Sequence, residues 1–197
     1  MANQTIFMTA ANGYIGSRIT GYAIAEGYIV VGLSRSEKGD ETLRALGASS
    51  VRGDLFSYDV LREQSAKADI VIHLADALSQ NMDKPYSKVV EIDNKAVDAI
   101  TDGLKGSSTT FLITSGTLVT AADPKHGETN ETSPLWSHPL NERINCETYA
   151  IKQASAKGIR VVAVRLAPYV YGRGGSGIRL FMSYVDDGSV QTSTARQ

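Results

Sequence analysis

A single cysteine, Cys146, leaves no partner for an internal disulfide and no thiolate set for a metal cluster. Its place in a helical stretch reads as a buried free thiol rather than a nucleophile. Histidine is scarce too: His73, His126 and His138 show no ligand spacing, so no metal site is expected. No apolar run nears the roughly twenty residues that span a bilayer, and the amino terminus lacks the basic and apolar regions of a signal peptide. That predicts a cytoplasmic protein with no membrane partner. An excess of one charge is also missing, with Lys+Arg 20 against Asp+Glu 21, which removes the electrostatic footprint of a nucleic-acid binder. At 197 residues the chain can form one domain with a sizeable core, or one domain and a fragment.

What is present is an alternation of strand and helix signals. Ile6, Phe7 and Met8 form a short apolar run, residues 9–13 read as a turn, and Ile15, Ile19, Tyr22 and Ala23 recur at helical spacing. Further strands are expected from Tyr28 to Ser34, Ser49 to Arg52, Asp69 to Leu74, Thr109 to Thr114 and Ile159 to Leu166. Helices are expected from Glu41 to Leu46, in a polar stretch ending near Lys67, from Tyr86 to Leu104 and from about Leu140 to Lys157. Six strands joined by helical crossovers predict an α/β fold, a doubly wound parallel sheet in three α/β/α layers. Ligands of such sheets bind beyond the carboxyl ends of the strands, so those ends are where chemistry is sought.

The first strand end carries Gly13 and Gly16 on a turn that opens a helix. Free N–H groups and the helix dipole stabilise a phosphate there, and glycine allows the pyrophosphate to approach bare backbone. The dinucleotide fingerprint has a third glycine where this chain has Ala10; a methyl group is tolerable there unless the residue needs positive φ. The second strand ends in Ser34-Arg35-Ser36. An acid at this point would bond the ribose 2′-hydroxyl of NAD, whereas Arg35 suits the 2′-phosphate of NADP, unless it is only a solvated surface side chain. After the third strand, Asp54 suits an adenine amino group or caps the next helix. His73 reads as a packed core residue, and Thr114-Ser115-Gly116-Thr117 aims hydroxyls at the same mouth.

Together these pieces carry a resemblance. Thr9-Ala10-Ala11-Asn12-Gly13-Tyr14-Ile15-Gly16, Gly53-Asp54-Leu55, Val71-Ile72-His73-Leu74-Ala75, Asn94, Thr114-Ser115-Gly116-Thr117, and Arg165 with Pro168-Tyr169-Val170-Tyr171-Gly172 follow one another at the expected spacing. They resemble the extended and atypical short-chain dehydrogenase/reductases, in their NAD-dependent epimerase/dehydratase-like branch. The resemblance implies a Rossmann domain over residues 1–172 that binds NADP, or NAD. Gly13, Tyr14, Ile15 and Gly16 would lie at the pyrophosphate, Arg35 at the 2′ position, and Asp54 and Leu55 at adenine. Leu74 and Ala75 would lie near the ribose, Asn94 would belong to the cofactor set, and the backbone from Pro168 to Val170 would approach the nicotinamide.

Chemistry in that family resembles hydride transfer assisted by a Ser or Thr and by a Tyr and a Lys four apart on one helix, where the ammonium lowers the phenol pKa. This chain departs from the pattern. Counted back from Gly158 and Arg165, the Tyr position falls on Pro139 and the Lys position on Arg143, with Glu147 one turn on. Tyr149 is followed four residues later by Gln153, and Lys152, three on, sits about 100° round the helix from the face a lysine would need. The family's hydroxyl position falls on Gly116, which leaves Ser115 and Thr117 as substitutes and Arg143 as the cation near a developing oxyanion. Residues 173–197 read as the remnant or start of a substrate lobe, with one helix from Ile178 to Val185 and a polar, partly mobile tail. Three functions stay open: an NADP-preferring oxidoreductase acting on a small carbonyl or hydroxyl compound, a non-catalytic NADP-binding sensor or regulatory protein, and a non-redox dehydratase or isomerase. A homodimer is the expected assembly.

Overall fold

The computed structural model describes residues 4–137 and 142–167. Pro139, Pro168, Val170 and the expected segment 173–197 lie outside the described residues. Six strands, β1 (Thr5–Thr9), β2 (Ile29–Ser34), β3 (Ser49–Arg52), β4 (Ile70–His73), β5 (Thr110–Gly116) and β6 (Arg160–Leu166), form one parallel sheet in the order β3-β2-β1-β4-β5-β6. Five helices connect them: α1 (Tyr14–Ala25), α2 (Glu37–Ala45), α3 (Tyr58–Lys67), α4 (Tyr86–Leu104) and α5 (Arg143–Ala156). Among the described residues no helix is long and apolar enough to cross a membrane.

The alternation along β1 explains why helices cover both faces. Ile6 and Met8 join Val30, Ala23 of α1 and Leu43 of α2 in one buried cluster. Phe7 points the other way, into a larger cluster with Val71, Phe111, Leu61 of α3, Ile100 of α4 and Ala150 of α5. The chain builds outward from β1 to β3, then crosses over and builds outward from β4 to β6. The order therefore reverses between β1 and β4, and a crevice opens at that reversal.

Two elements differ from the sequence expectation. Helix α2 begins at Glu37, four residues early, because the Ser36 hydroxyl accepts the Gly39 N–H at 3.2 Å and Glu37 and Asp40 occupy the positive first turn. Strand β5 continues two residues further, to Gly116, since its ladder with β6 persists to the Gly116–Leu166 pair.

Candidate functional site: a crevice across the strand ends

The turn between β1 and α1 is built from backbone. The Gly13 N–H bonds the Ala10 carbonyl at 2.9 Å, and Gly13 opens α1 without any side-chain cap or first-turn acid. The N–H groups of Tyr14, Ile15 and Gly16 are thus left without an acceptor among the described residues, at the positive end of a 12-residue helix. A Cβ on Gly16 would stand 2.1 Å from the Ala10 carbonyl oxygen, so only glycine lets the helix close onto the turn. Ala10 itself has φ +52, the left-handed region in which its methyl group is unfavourable. The proviso attached to Ala10 is therefore met, and the turn is strained where the fingerprint has glycine.

Behind this turn, Thr9 locks the crevice floor. Its hydroxyl accepts the N–H groups of Leu74 and Ala75, both at 3.1 Å, and so has only its proton left for His73 Nδ1 at 2.9 Å. The imidazole is consequently the Nε2–H tautomer. Burial, aided by the Arg143 charge, lowers the His73 pKa to about 4, so the ring is neutral and structural.

Three adjoining cavities make one crevice. The first, about 310 Å³, is lined by Ala10, Asn12, Gly13, Arg35, Asp54 and Leu55, among others, and reaches Leu74 to Ala77. The second, about 230 Å³, lies over Gly13, Tyr14, Ile15 and Gly16. The third, about 370 Å³, is bounded by Ile15, Tyr86, Ser115, Leu118, Arg143 and Leu166. Arg35 is exposed and has no ion-pair or hydrogen-bond partner among the described residues. Asp54 does two things at once: Oδ1 accepts the Phe56 N–H at 2.9 Å and the Ser57 hydroxyl at 3.0 Å in a local turn, while the residue also lines the crevice. Asn94 lies outside all three cavities. It stands one turn before Asp98 on α4, half-buried, with its side-chain oxygen unpartnered.

At the far end, Ser115 and Arg143 come together while Thr117 does not join them. The Ser115 hydroxyl is buried without a partner at the third cavity. Thr117 begins a 3₁₀ turn that carries it into a neighbouring hollow beside Thr120, Glu147 and Arg165. Arg143 donates from Nη1 to Asp93 Oδ2 at 3.2 Å and from Nη2 to the Thr114 carbonyl at 2.6 Å, tying α5 to α4 and to the end of β5. Asp93 is 3% exposed and also accepts the Ala77 N–H at 2.9 Å. Burial raises its pKa to about 6 against the opposing pull of Arg143. The Cys146 thiol, 3.7 Å from Asp93, is pushed up by burial to about 12 and is not a nucleophile. Tyr149 faces α4, where its hydroxyl donates to the Asp98 carboxylate at 2.8 Å; burial first, then Asp98, pushes it up to about 12.

Sequence reasoning missed Tyr86, Asp76 and Asp93. A signal existed for the last: Asp93 falls on the buried stripe Val89, Ala96, Val97, Ile100 and Leu104, where a carboxylate needs a partner. Tyr86 extends the same stripe to the start of α4, seven residues before Asp93.

A doubly wound parallel sheet with an uncapped helix terminus at its switch point and a crevice across its strand ends defines a Rossmann-type fold. Residues 6–185 match the NAD dependent epimerase/dehydratase family, and the chain belongs to that family. Among its relatives are an uncharacterized protein of Schizosaccharomyces pombe, 34% identical over 169 residues, with 86% of this chain and 55% of that one covered. Another is the 2-alkyl-3-oxoalkanoate reductase of Shewanella oneidensis, 30% identical over 147 residues, with 74% of this chain and 37% of that one covered. Among solved structures, the UDP-glucuronic acid 4-epimerase of Bacillus cereus, in complex with UDP-glucuronic acid and NAD, superposes with a TM-score of 0.71. It is 20% identical, and the match covers 93% of this chain and 63% of that one. The chain spans about half the length of the curated relatives it matches.

Proposed function

We propose that this chain is the cofactor-binding part of an NADP-preferring carbonyl reductase. The observation that carries the reading is the uncapped α1 terminus, with three free N–H groups, joined by one crevice to Arg35 on one side and to Ser115 on the other. The free N–H groups of Tyr14, Ile15 and Gly16 suit a pyrophosphate, and the unpaired Arg35 guanidinium suits a 2′-phosphate, with no acid among Ser34, Arg35 and Ser36 to favour a 2′-hydroxyl. When bound there, a nicotinamide dinucleotide supplies the hydride. This chain's residues hold and orient it, and Ser115 offers a hydroxyl to the substrate oxygen. The reductase relative supports a carbonyl substrate, and the apolar Ile15, Leu78 and Leu118 suit a small, weakly polar one.

Binding without turnover is the second reading, favoured by one observation: both Arg143 nitrogens that reach inward are engaged by Asp93 and Thr114. Calorimetric titration with NADPH and NADH, followed by an aldehyde and ketone panel, tests both. The expected result is NADPH binding ten- to a hundred-fold tighter than NADH, a preference lost in Arg35→Ala, since charged hydrogen bonds contribute about 1.5–3 kcal/mol. Equal affinities in wild type refute the NADP assignment; binding with no turnover selects the second reading.

A further inference from the structure

We propose that Tyr86, at the start of α4, is the proton donor of this site and takes the place of the family's tyrosine, whose position in this chain falls on Pro139. The inference rests on the carbonyl-reductase reading and deepens it. Tyr86 and Ser115 line the same cavity, and neither hydroxyl has a hydrogen-bond partner among the described residues. Two unpartnered hydroxyls on residues that line one cleft, the Ser115 oxygen fully buried, are a cost to the fold unless something polar arrives to meet them. The placement has a structural cause. Tyr86 continues the buried stripe of α4, so its ring is directed at the sheet, and it lies about 10 Å along the axis from Asp93, where that stripe runs out at the strand ends. Ser115 alternates with Ile113 and Phe111 along β5 and so faces the same layer. Arg143, from α5, completes the lining.

The surroundings suit an acid rather than a base. Burial holds the Tyr86 phenol at about 12, with Arg143 pulling down and Cys146, Asp76 and Asp93 pushing up. The phenol is therefore protonated at neutral pH, yet it remains far more acidic than the alcohol whose alkoxide forms when a carbonyl is reduced. As the carbonyl carbon accepts the hydride of the reduced nicotinamide, the Tyr86 O–H bond breaks and the O–H bond of the product alcohol forms. Water then returns a proton to the phenolate. Ser115 holds the oxygen by a hydrogen bond and gives up no proton.

The test compares the full chain with Tyr86→Phe and with Tyr149→Phe, whose hydroxyl is engaged by Asp98. NADPH binding is measured by calorimetry, reduction of isobutyraldehyde by absorbance, and binding of isobutyramide, an unreactive isostere, to the NADPH complex by fluorescence. Tyr86→Phe is expected to bind NADPH within two-fold of wild type and to lose about 100-fold or more in kcat, the range of a general acid. It should bind the amide roughly ten-fold more weakly, the worth of one hydrogen bond, while Tyr149→Phe matches wild type in all three. If wild type binds NADPH and reduces aldehyde, and Tyr86→Phe equals it in turnover or amide affinity, the assignment of Tyr86 is overturned and the reductase reading stands. A wild type that binds no NADPH, or reduces nothing, overturns both.

Discussion

Replacing Asp93 by Asn should make the stability of this protein strongly pH-dependent where the wild type is nearly flat. Two buried groups beside Arg143 titrate abnormally in opposite senses. His73 has a folded pKa of about 4 against 6.5 unfolded. Between those values the unfolded chain binds a proton that the folded chain rejects, so stability rises with pH and is lost as pH falls from 6.5 to 4. Asp93 has a folded pKa of about 6 against 3.8 unfolded. Here the folded chain keeps a proton the unfolded chain has released, so stability falls as pH rises from 3.8 to 6. Each pKa unit corresponds to about 1.4 kcal/mol, so between pH 4 and 7 each group shifts stability by about 2–3 kcal/mol, in opposite directions.

Asn keeps the acceptor for the Ala77 N–H and removes the titration, which leaves the His73 slope exposed. Urea unfolding followed by circular dichroism at pH 4, 5, 6 and 7 measures it. The expected outcome is a rise of about 3 kcal/mol from pH 4 to 7 in Asp93→Asn and less than about 1 kcal/mol in wild type from this pair. Titrating groups that do not interact with Asp93 cancel in the comparison of the two proteins. Parallel curves for the two would refute the opposed titrations and, with them, the account of Asp93 as a buried carboxylate held against its desolvation by Arg143.

Other perturbations probe the turn and the α5 helix. Ala10→Gly should raise stability by about 1 kcal/mol in urea unfolding, because φ +52 is unfavourable for a β-carbon, and leave NADPH affinity unchanged; destabilisation would show the turn is not strained. Gly13→Val should abolish NADPH binding in calorimetry while the chain stays folded, since a branched side chain fills the backbone approach, and retained binding would move the phosphate site elsewhere. Tyr149→Phe should cost about 1–2 kcal/mol of stability through the lost bond to Asp98 and leave turnover unchanged, where loss of turnover would point to Tyr149 as the acid.

The sheet was legible because strands buried on both faces are written as unbroken apolar runs: Ile6-Phe7-Met8 and Val71-Ile72 need nothing beyond themselves to be recognised. The β1–α1 turn was legible for a similar reason, since its parts, Gly13, Gly16 and the start of α1, lie close together in the chain. The start of α2 was not, because only Gly39 and Leu43 of its residues are buried and its helix is set by a Ser36 cap. Thr117 was expected beside Ser115; a 3₁₀ turn beginning at that residue carries it off, and single turns of this kind leave no periodic trace. The Arg143–Asp93 pair joins residues fifty positions apart, and no spacing rule along one helix can register it.

That last pairing decides what the far end of the crevice can do. A Lys one turn after a Tyr on α5 would lend its charge to the phenol and make it a base as well as an acid. In this chain the cation at that position is Arg143, and it is bound on one side to Asp93 and on the other to the Thr114 carbonyl. Burial holds the Tyr86 hydroxyl high, at about 12, and the charge of Arg143, paired with the buried Asp93 carboxylate, pulls it down only in part. A phenol held there stays protonated at neutral pH, so in the role proposed for Tyr86 it has a proton to give and is not a ready base. On the proposed reading a protonated phenol suits reduction of a carbonyl better than oxidation of an alcohol at neutral pH, and that asymmetry would accompany the replacement of a free ammonium by a guanidinium that also holds three elements of the fold together.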